Sequence, residues 1–337
     1  MHSGILIVDK PQGMTSHDLV AAVRSRLGLR RVGHAGTLDP MATGALIIGF
    51  GQATRLLNVI VGHDKTYETT IRLGQATDTD DADGELLAAG PGVAARVRAL
   101  SRQQVEQAIR EHYTGPIQQV PNAYSAIKVE GRRAYDLARQ GQEVRLKARG
   151  VTISEFALLG YEPTQARDGS PVVDIRARVT CSSGTYIRAL GRDLGRELGV
   201  GGHLTVLRRT RVGRFDLADP GLAPRVLTAR AVDHTYTDRE GRTVTRPKAS
   251  LDQDRREIQS RALDLVEGAR LTMPTIAVDR AQTQTLQHGG FLDLHLDGPT
   301  AAITGAQTGV QERLVSILVP RNSRQAKPSA VFALDEA

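Results

Sequence analysis

Read for the spacing of apolar positions, the chain opens on a continuous run, "GILIVDKP", which predicts a buried strand ended by Lys10 and Pro11. "TSHDLVAAVRSRLGL" follows with apolar residues at helical spacing behind a Thr15/Ser16 cap. "ALIIGF" repeats the buried-strand pattern, "QATRLLNVIV" predicts a short helix, and "KTYETTIRLG" alternates as a strand. "SRQQVEQAIREHY" is a helix whose Ser101 and Gln104 have capping-box spacing. Beyond it, "VVDIRARVTC" alternates, "TYIRALGRDLGRELGV" is an amphipathic helix rich in arginine, and "HLTVLRRTRVGRF" returns as a strand. Over 216–252 the pattern thins into turn residues and charges, which predicts a connection with a helical patch and an exposed hairpin around "DREGR". A helix over 255–266 then leads to "MPTIAVDRAQTQTLQHGGFLDLHL" and "ERLVSILVP", a small β-rich module in which "QAKPSAVFALDEA" supplies a terminal strand. Strands and helices in mixed order, without regular alternation or internal repeat, predict α+β with a largely antiparallel sheet rather than a doubly wound fold.

At 337 residues the chain is long enough for one large domain and a smaller appendage. Lys plus Arg number 44 against 37 Asp plus Glu, a net charge of +7 with a pI near 9.8, which favours a polyanionic partner. The excess is localised. Residues 124–149 hold seven basic and three acidic side chains, and 182–214 hold seven and two, so the remainder is close to neutral. Two basic windows on a neutral chain fit a nucleic-acid footprint on one face; two solvated helix faces are the plainer alternative. The single cysteine, Cys181, excludes an internal disulfide and a cysteine-rich zinc site, and fits a reducing compartment. No run approaches the roughly 18 apolar residues of a membrane span, and the start lacks a signal peptide, so the expectation is a soluble, cytoplasmic protein.

Several motifs fail on inspection. "GFGQAT" begins like a dinucleotide fingerprint but lacks the helix-packing glycine and the acidic ribose ligand. No GK[ST] follows a glycine, so there is no Walker A loop. "DTDDADGE" resembles a calcium loop, yet its twelfth place would be Gly90 where a bidentate glutamate is needed, and a solvated acidic turn is the expectation. The histidines show no HExxH or paired spacing for catalytic zinc. The loop "GHAGTLDPMATG" is different, because Asp39 is its one carboxylate and Pro40 follows directly. Structurally, Asp39 can be a helix N-cap with Pro40 as first helical residue. Functionally, glycines 33, 36 and 44 would let a substrate backbone approach that carboxylate closely. Both readings stand on the local sequence.

That loop, together with "VDKPQGMTS", "DKTYE" plus "LGQATDTDDADG", "YSAIKVEGRRAYDLARQG", "CSSGTYIRALGRDLG" and "HLTVLRRTRVGRF", resembles in order and spacing the motifs of the TruB family of pseudouridine synthases over most of residues 4–215. The resemblance implies a mixed-sheet pseudouridine-synthase catalytic domain flanked by helices over 1–252, with an RNA-clasping insertion over about 119–150 and a connecting region over 216–252. A linker helix at 253–271 and a PUA-like RNA-binding module at 272–337, whose motifs are loose, complete it. It implies isomerisation of uridine to pseudouridine at position 55 of the T arm of tRNA, with no cofactor or metal. It further implies no membrane, no obligatory protein partner and a monomer.

By the same resemblance Asp39 is the catalytic carboxylate, Arg188 the arginine that pairs with it, and Tyr67 the aromatic that stacks on the target base. Tyr186 and Leu207 line the uracil pocket, His34 enters the RNA loop as the base leaves the stack, and Lys10 and Pro11 shape the pocket from behind. Lys128, Arg132, Arg133 and Arg139 from the insertion, with Arg208, Arg209 and Arg211, would grip phosphates. Two other readings are a non-catalytic tRNA-binding or tRNA-folding protein and the guide-RNA-dependent relative that modifies ribosomal RNA.

Overall fold

The computed structural model describes residues 2–122, 124, 128–129, 132–133, 146–238, 240–305 and 311–334. In chain order its strands are β1 (Gly4–Lys10), β2 (Val32–His34), β3 (Thr43–Phe50), β4 (Lys65–Leu73), β5 (Gly115–Gln119), β6 (Lys128–Val129), β7 (Arg132–Arg133), β8 (Arg149–Gln165), β9 (Pro171–Cys181), β10 (Gly202–Val212), β11 (Phe215–Asp216), β12 (Val226–Thr237), β13 (Thr243–Leu251), β14 (Thr275–Ala277), β15 (Thr300–Thr304), β16 (Arg313–Pro320) and β17 (Ala326–Val331). No described helix is long and apolar enough to cross a membrane.

By its internal contacts the chain divides into two compact units, one of residues 1–63 with 211–337 and one of 64–210. The first unit carries strands in the order β13-β12-β1-β3, with β2 paired to β3. β1 is buried along its length, as its unbroken apolar run requires, and lies antiparallel to β3 and parallel to β12. The Ser16–Leu27 helix starts at Thr15, which accepts from the Asp18 amide while Asp18 reaches back, and stops at Gly28 in the left-handed region. The helix predicted over 255–266 is two helices, Arg255–Arg261 and Leu265–Thr272, because Asp264 caps a fresh start with its side chain on the Val266 and Glu267 amides.

The C-terminal residues form a four-stranded sheet, β14-β15-β16-β17, with the Arg280–Gln287 helix. Ala301, Ile303, Leu314, Ile317 and Phe332 of this module share one apolar cluster with Ile5, Ile7, Ile47, Leu56 and Ile60. Gln52 closes the seam, donating to Ala333 O at 3.1 Å and accepting from Ala333 N at 2.7 Å. Fully burying each large apolar side chain is worth about 1.5–3 kcal/mol, so this module is held by the same core that holds β1 and β3.

The second unit places its strands in the order β10-β4-β9-β8-β5. β4, β9 and β8 are antiparallel neighbours, and β8 carries two register shifts, between Ile153 and Glu155 and between Leu158 and Gly160. The Arg102–His112 helix begins at the predicted capping box of Ser101 and Gln104. The Ile187–Glu197 helix buries Ile187, Ala189, Leu190 and Leu194, the apolar stripe that its sequence shows. With mixed helices and strands and mostly antiparallel ladders, the α+β expectation describes both units.

Candidate active site

The loop that carries Asp39 belongs to the first unit and is built by its neighbours. β1 ends at Lys10, opposite Gly44 at the start of β3, so the loop before β3 lies at the C-terminal end of β1. No helix follows Asp39. The chain makes a turn over 39–42, closed by the Ala42 amide donating to Asp39 O at 3.1 Å, with Pro40 in the position where its fixed φ suits a turn. The N-cap reading is therefore replaced by a β-turn, which uses the same Asp-Pro pair for a different backbone path.

Both residues flanking Asp39 are fixed through their backbone. The Ser16 hydroxyl accepts from Leu38 N at 2.8 Å and donates to Leu38 O at 3.2 Å. Pro40 O accepts from Gly13 N at 2.8 Å and from the Lys10 ammonium at 3.3 Å, while that ammonium also donates to Pro11 O at 2.9 Å. Lys10 is 0 % exposed, and bonds from a charged donor are worth about 1.5–3 kcal/mol each, so Lys10 fixes the loop from below. Asp39 itself is half-buried, as is His34 at the end of β2. Gly36 and Gly44 take φ of 91° and 100°, which glycine alone adopts without strain. Gly33 lies in β2, where a Cβ would come 3.2 Å from Leu57 Cδ1. Backbone conformation at 36 and 44 and packing against Leu57 at 33 favour glycine at these positions.

The other predicted groups belong to the second unit. Tyr67 is 8 % exposed on β4, opposite Val179. Tyr186 stands at the entrance of the Ile187–Glu197 helix, half-buried, where Gln119 accepts from its amide at 2.8 Å and donates to its carbonyl at 3.0 Å. Leu207 is buried on β10.

Arg188 is 5 % exposed and pairs with Asp81 at 3.0 Å, while it donates to Thr79 O at 3.0 Å and Tyr124 O at 2.9 Å. One turn along the helix, Arg192 pairs with Asp80 at 3.3 Å and donates to Val120 O at 2.7 Å. Thus the acidic turn is solvated only in part: Asp78, Asp83 and Glu85 are exposed, whereas Asp81 is 4 % exposed and receives the Thr79 hydroxyl at 2.6 Å and the Asp83 amide at 3.1 Å. Asp80 occupies the left-handed region with φ 60°, a conformation that aspartate tolerates better than most residues. Its carboxyl is pushed up from the usual carboxylate range by burial, against the pull of Arg192 and a hydrogen bond from Asn122. The sequence signal for this pairing was the match of adjacent aspartates, 80 and 81, to arginines four residues apart on one helix.

Lys65, also missed, lies on the Tyr67 face of β4, opposite Cys181. Burial, with Arg209 beside it, brings the Lys65 ammonium down to about 8. Burial pushes the Cys181 thiol up to about 11.

The phosphate-gripping set changes in one respect. Arg209 is 1 % exposed, so it belongs to the interior and does not reach a phosphate from the surface. Arg208 is half-buried, and Arg211, in the first unit, is half-buried and donates to Gly213 O at 2.6 Å. The described backbone of Lys128, Arg132 and Arg133 forms the β6–β7 pair; Arg139 lies outside the described residues.

In fold the chain is similar to a chain of the "Crystal Structure of a Cbf5-Nop10-Gar1 Complex", with a TM-score of 0.64 at 21% identity over 98% of this chain and 84% of that one. It is likewise similar to a chain of the "Structure of H/ACA RNP bound to a substrate RNA containing 2'-deoxyuridine", with a TM-score of 0.63 at 20% identity over 98% and 85%. The class is defined by two family models: "TruB family pseudouridylate synthase (N terminal domain)" matches residues 24–187, and "tRNA pseudouridylate synthase B C-terminal domain" matches 188–238. The chain belongs to the TruB family of pseudouridylate synthases. Among its relatives is the tRNA pseudouridine synthase B of Bifidobacterium longum (strain NCC 2705), 47% identical over 98% of both chains. Those of Thermobifida fusca (strain YX), 57% identical over 64% of this chain and 71% of the relative, and Cutibacterium acnes (strain DSM 16379 / KPA171202), 41% over 99% of both, bear the same name.

Proposed function

We propose that the protein isomerises uridine to pseudouridine in tRNA, at position 55 of the T arm. The C1'–N1 bond breaks, the uracil turns, C5 bonds to C1', and the C5 proton is lost as N1 gains one, so the reaction is redox neutral. One carboxylate suffices, as nucleophile at C1' or as the base for a ribose proton. Asp39 is that carboxylate. The observation that carries the assignment is the fixing of the backbone on both sides of it by Ser16, Gly13 and Lys10, which leaves a half-buried carboxylate on a rigid turn.

Tyr67 stacks the flipped base, and Arg188 supplies the cation that favours ionised Asp39 during the reaction. Tyr186 and Leu207 line the uracil, and His34 fills the place it leaves. Lys10 and Pro11 support the loop. Base flipping costs a few kcal/mol and stacking returns about 1–3 kcal/mol per base, so phosphate contacts from Arg208, Arg211 and the basic insertion, Lys128, Arg132, Arg133 and Arg139, supply the rest. The enzyme works in the cytoplasm as a monomer without an obligatory partner. The 272–337 module is PUA-like and binds the acceptor side of tRNA.

The relatives named tRNA pseudouridine synthase B, at 41% to 57% identity, favour this over the guide-RNA-dependent alternative. The test is mass-spectrometric mapping of pseudouridine after incubating the purified chain with an unmodified T-arm stem-loop and no other RNA or protein. Product at position 55 is expected, with none from Asp39→Asn. Product at the normal rate from Asp39→Asn overturns the role of Asp39, and dependence on added guide RNA overturns the substrate.

A further inference from the structure

Most of β12 and β13 leaves the sheet. β12 pairs with β1 only at Val226, Leu227 and Thr228, yet it continues to Thr237, and from Ala229↔Leu251 to Thr237↔Thr243 the two strands pair only with each other among the described ladders. Nine residues at about 3.3 Å each make a ribbon on the order of 30 Å long. At its root Ala249 and Leu251 are buried and Arg26 donates to Leu251 O at 3.1 Å; beyond that, every residue of β12 from Arg230 to Thr237 is exposed. An isolated two-stranded hairpin is marginally stable, and beyond its root this one covers no core among the described residues, so folding alone does not explain its length.

Strand alternation gives the ribbon two unlike faces. One bears Ala231, Asp233, Thr235 and Thr237 across from Thr243, Thr245 and Pro247, with the Thr235 and Thr245 hydroxyls 2.8 Å apart. The other bears Arg230, Val232, His234 and Tyr236 across from Lys248 and Val244. Among its described side chains it holds two cations and no carboxylate: Lys248, and Arg230, whose Nε lies 3.5 Å from the exposed Asp252 carboxylate at the ribbon's root. The rings of His234 and Tyr236 stack at 5.9 Å and 24° with Tyr236 37% exposed. The carboxylates near the tip, Asp238 and Glu240, are matched by Arg242. β12 runs parallel to β1, so the ribbon departs from the end of the sheet at which Lys10 holds the Asp39 loop.

We propose that the Arg230, Val232, His234, Tyr236 and Lys248 face of the ribbon is a second RNA-binding surface, which takes phosphates of the bound tRNA on Arg230 and Lys248 and stacks an exposed base on Tyr236 and His234. Cations interleaved with exposed rings are what a nucleic-acid strand requires. RNA held at the Asp39 loop passes the ribbon's root, whereas an apolar protein partner would find only Val232 and Val244 between charges.

The inference rests on tRNA being the substrate; failure of the wild-type chain to modify tRNA would remove that premise, whereas the ribbon is tested by variants of an active enzyme. The experiment compares wild type with Arg230→Ala/Lys248→Ala and with Tyr236→Ala, all exposed positions, using fluorescence anisotropy on unmodified tRNA over a salt series and single-turnover modification. The charge variant is expected to raise Kd at least fivefold and to lower the slope of log K against log salt by about 1.4–1.8 for two lost phosphate contacts. Tyr236→Ala is expected to raise Kd severalfold with that slope unchanged. The saturating single-turnover rate is expected to stay within twofold in both. Kd and slope equal to wild type in both variants, with thermal unfolding unchanged, would overturn the proposal, and the ribbon would then face a protein or nothing.

Discussion

Lys65 is a lysine whose ammonium the fold has taken out of water, and the consequence is a stability that depends on pH in an unusual direction. Its value falls from 10.5 to about 8, through burial first and Arg209 second. Between those values the unfolded chain holds the proton and the folded chain does not, so this residue's contribution to stability rises with pH across the window; below about 8 the full penalty applies. Lys65→Met abolishes the dependence. Chemical denaturation at pH 7 and pH 10 should show the wild type gaining on the variant by up to about 3 kcal/mol. An equal gap at both pH values would mean that the ammonium is solvated when folded. Nothing in "DKTYETTIRLG" announced this, because alternation marked the face but not the cations that share it. Asp39 was legible as a solitary carboxylate in a loop, while its turn was not, since Asp-Pro serves a helix start and a turn equally.

At the scale of elements, the 77–85 turn and the Ile187–Glu197 helix act as one device through the Arg188–Asp81 and Arg192–Asp80 pairs. The helix was legible from its apolar stripe. The turn was not, because a cluster of four aspartates and a glutamate reads as solvated until two arginines from a hundred residues away are set against it. Breaking a buried ion pair by removing one partner costs about 3–5 kcal/mol, since the other charge is left behind. Asp81→Asn and Arg188→Gln are each expected to destabilise by about 3 kcal/mol, and the double variant by clearly less than the sum of the two, as denaturation of all four proteins in a double-mutant cycle would show. Additive losses would assign the burial of Asp81 to packing alone. The rate of modification should fall in Asp81→Asn as well, because its partner Arg188 is half of the proposed charge balance. The β12–β13 ribbon shows the opposite case: turn residues around "DREGR" made the hairpin legible, whereas its parallel pairing with β1 left no local mark.

Over the whole molecule, the boundary expected at 272 separates sequence patterns, while one apolar cluster runs across it. Module residues of the C-terminal sheet, with Phe332 0 % exposed, complete the cluster around Ile5, Ile47 and Leu56, a long-range match that periodicity within either segment does not reveal. Deleting everything after Leu271 would open that cluster to water, so loss of activity in such a truncation would report unfolding before it reported any role in tRNA binding. A point change is sharper. Phe332→Ala should lower stability by about 3–5 kcal/mol, the cost of removing a fully buried ring. Phe291→Ala serves as its control: it removes a ring of the same module that is 47% exposed beneath the Arg321 guanidinium at 4.2 Å, and should cost about 0.5–1 kcal/mol. Both variants keep the Asp39 loop intact, so at low temperature, where both are folded, each should retain the wild-type rate on a T-arm stem-loop. The decisive measurement is a pair of denaturation curves for Phe332→Ala. One follows probes in the C-terminal sheet and the other follows probes near β1. Coincident transitions shifted together mean that the module and the catalytic loop's sheet unfold as one cooperative body, whereas a separate early transition of the C-terminal sheet would make it an independent domain after all.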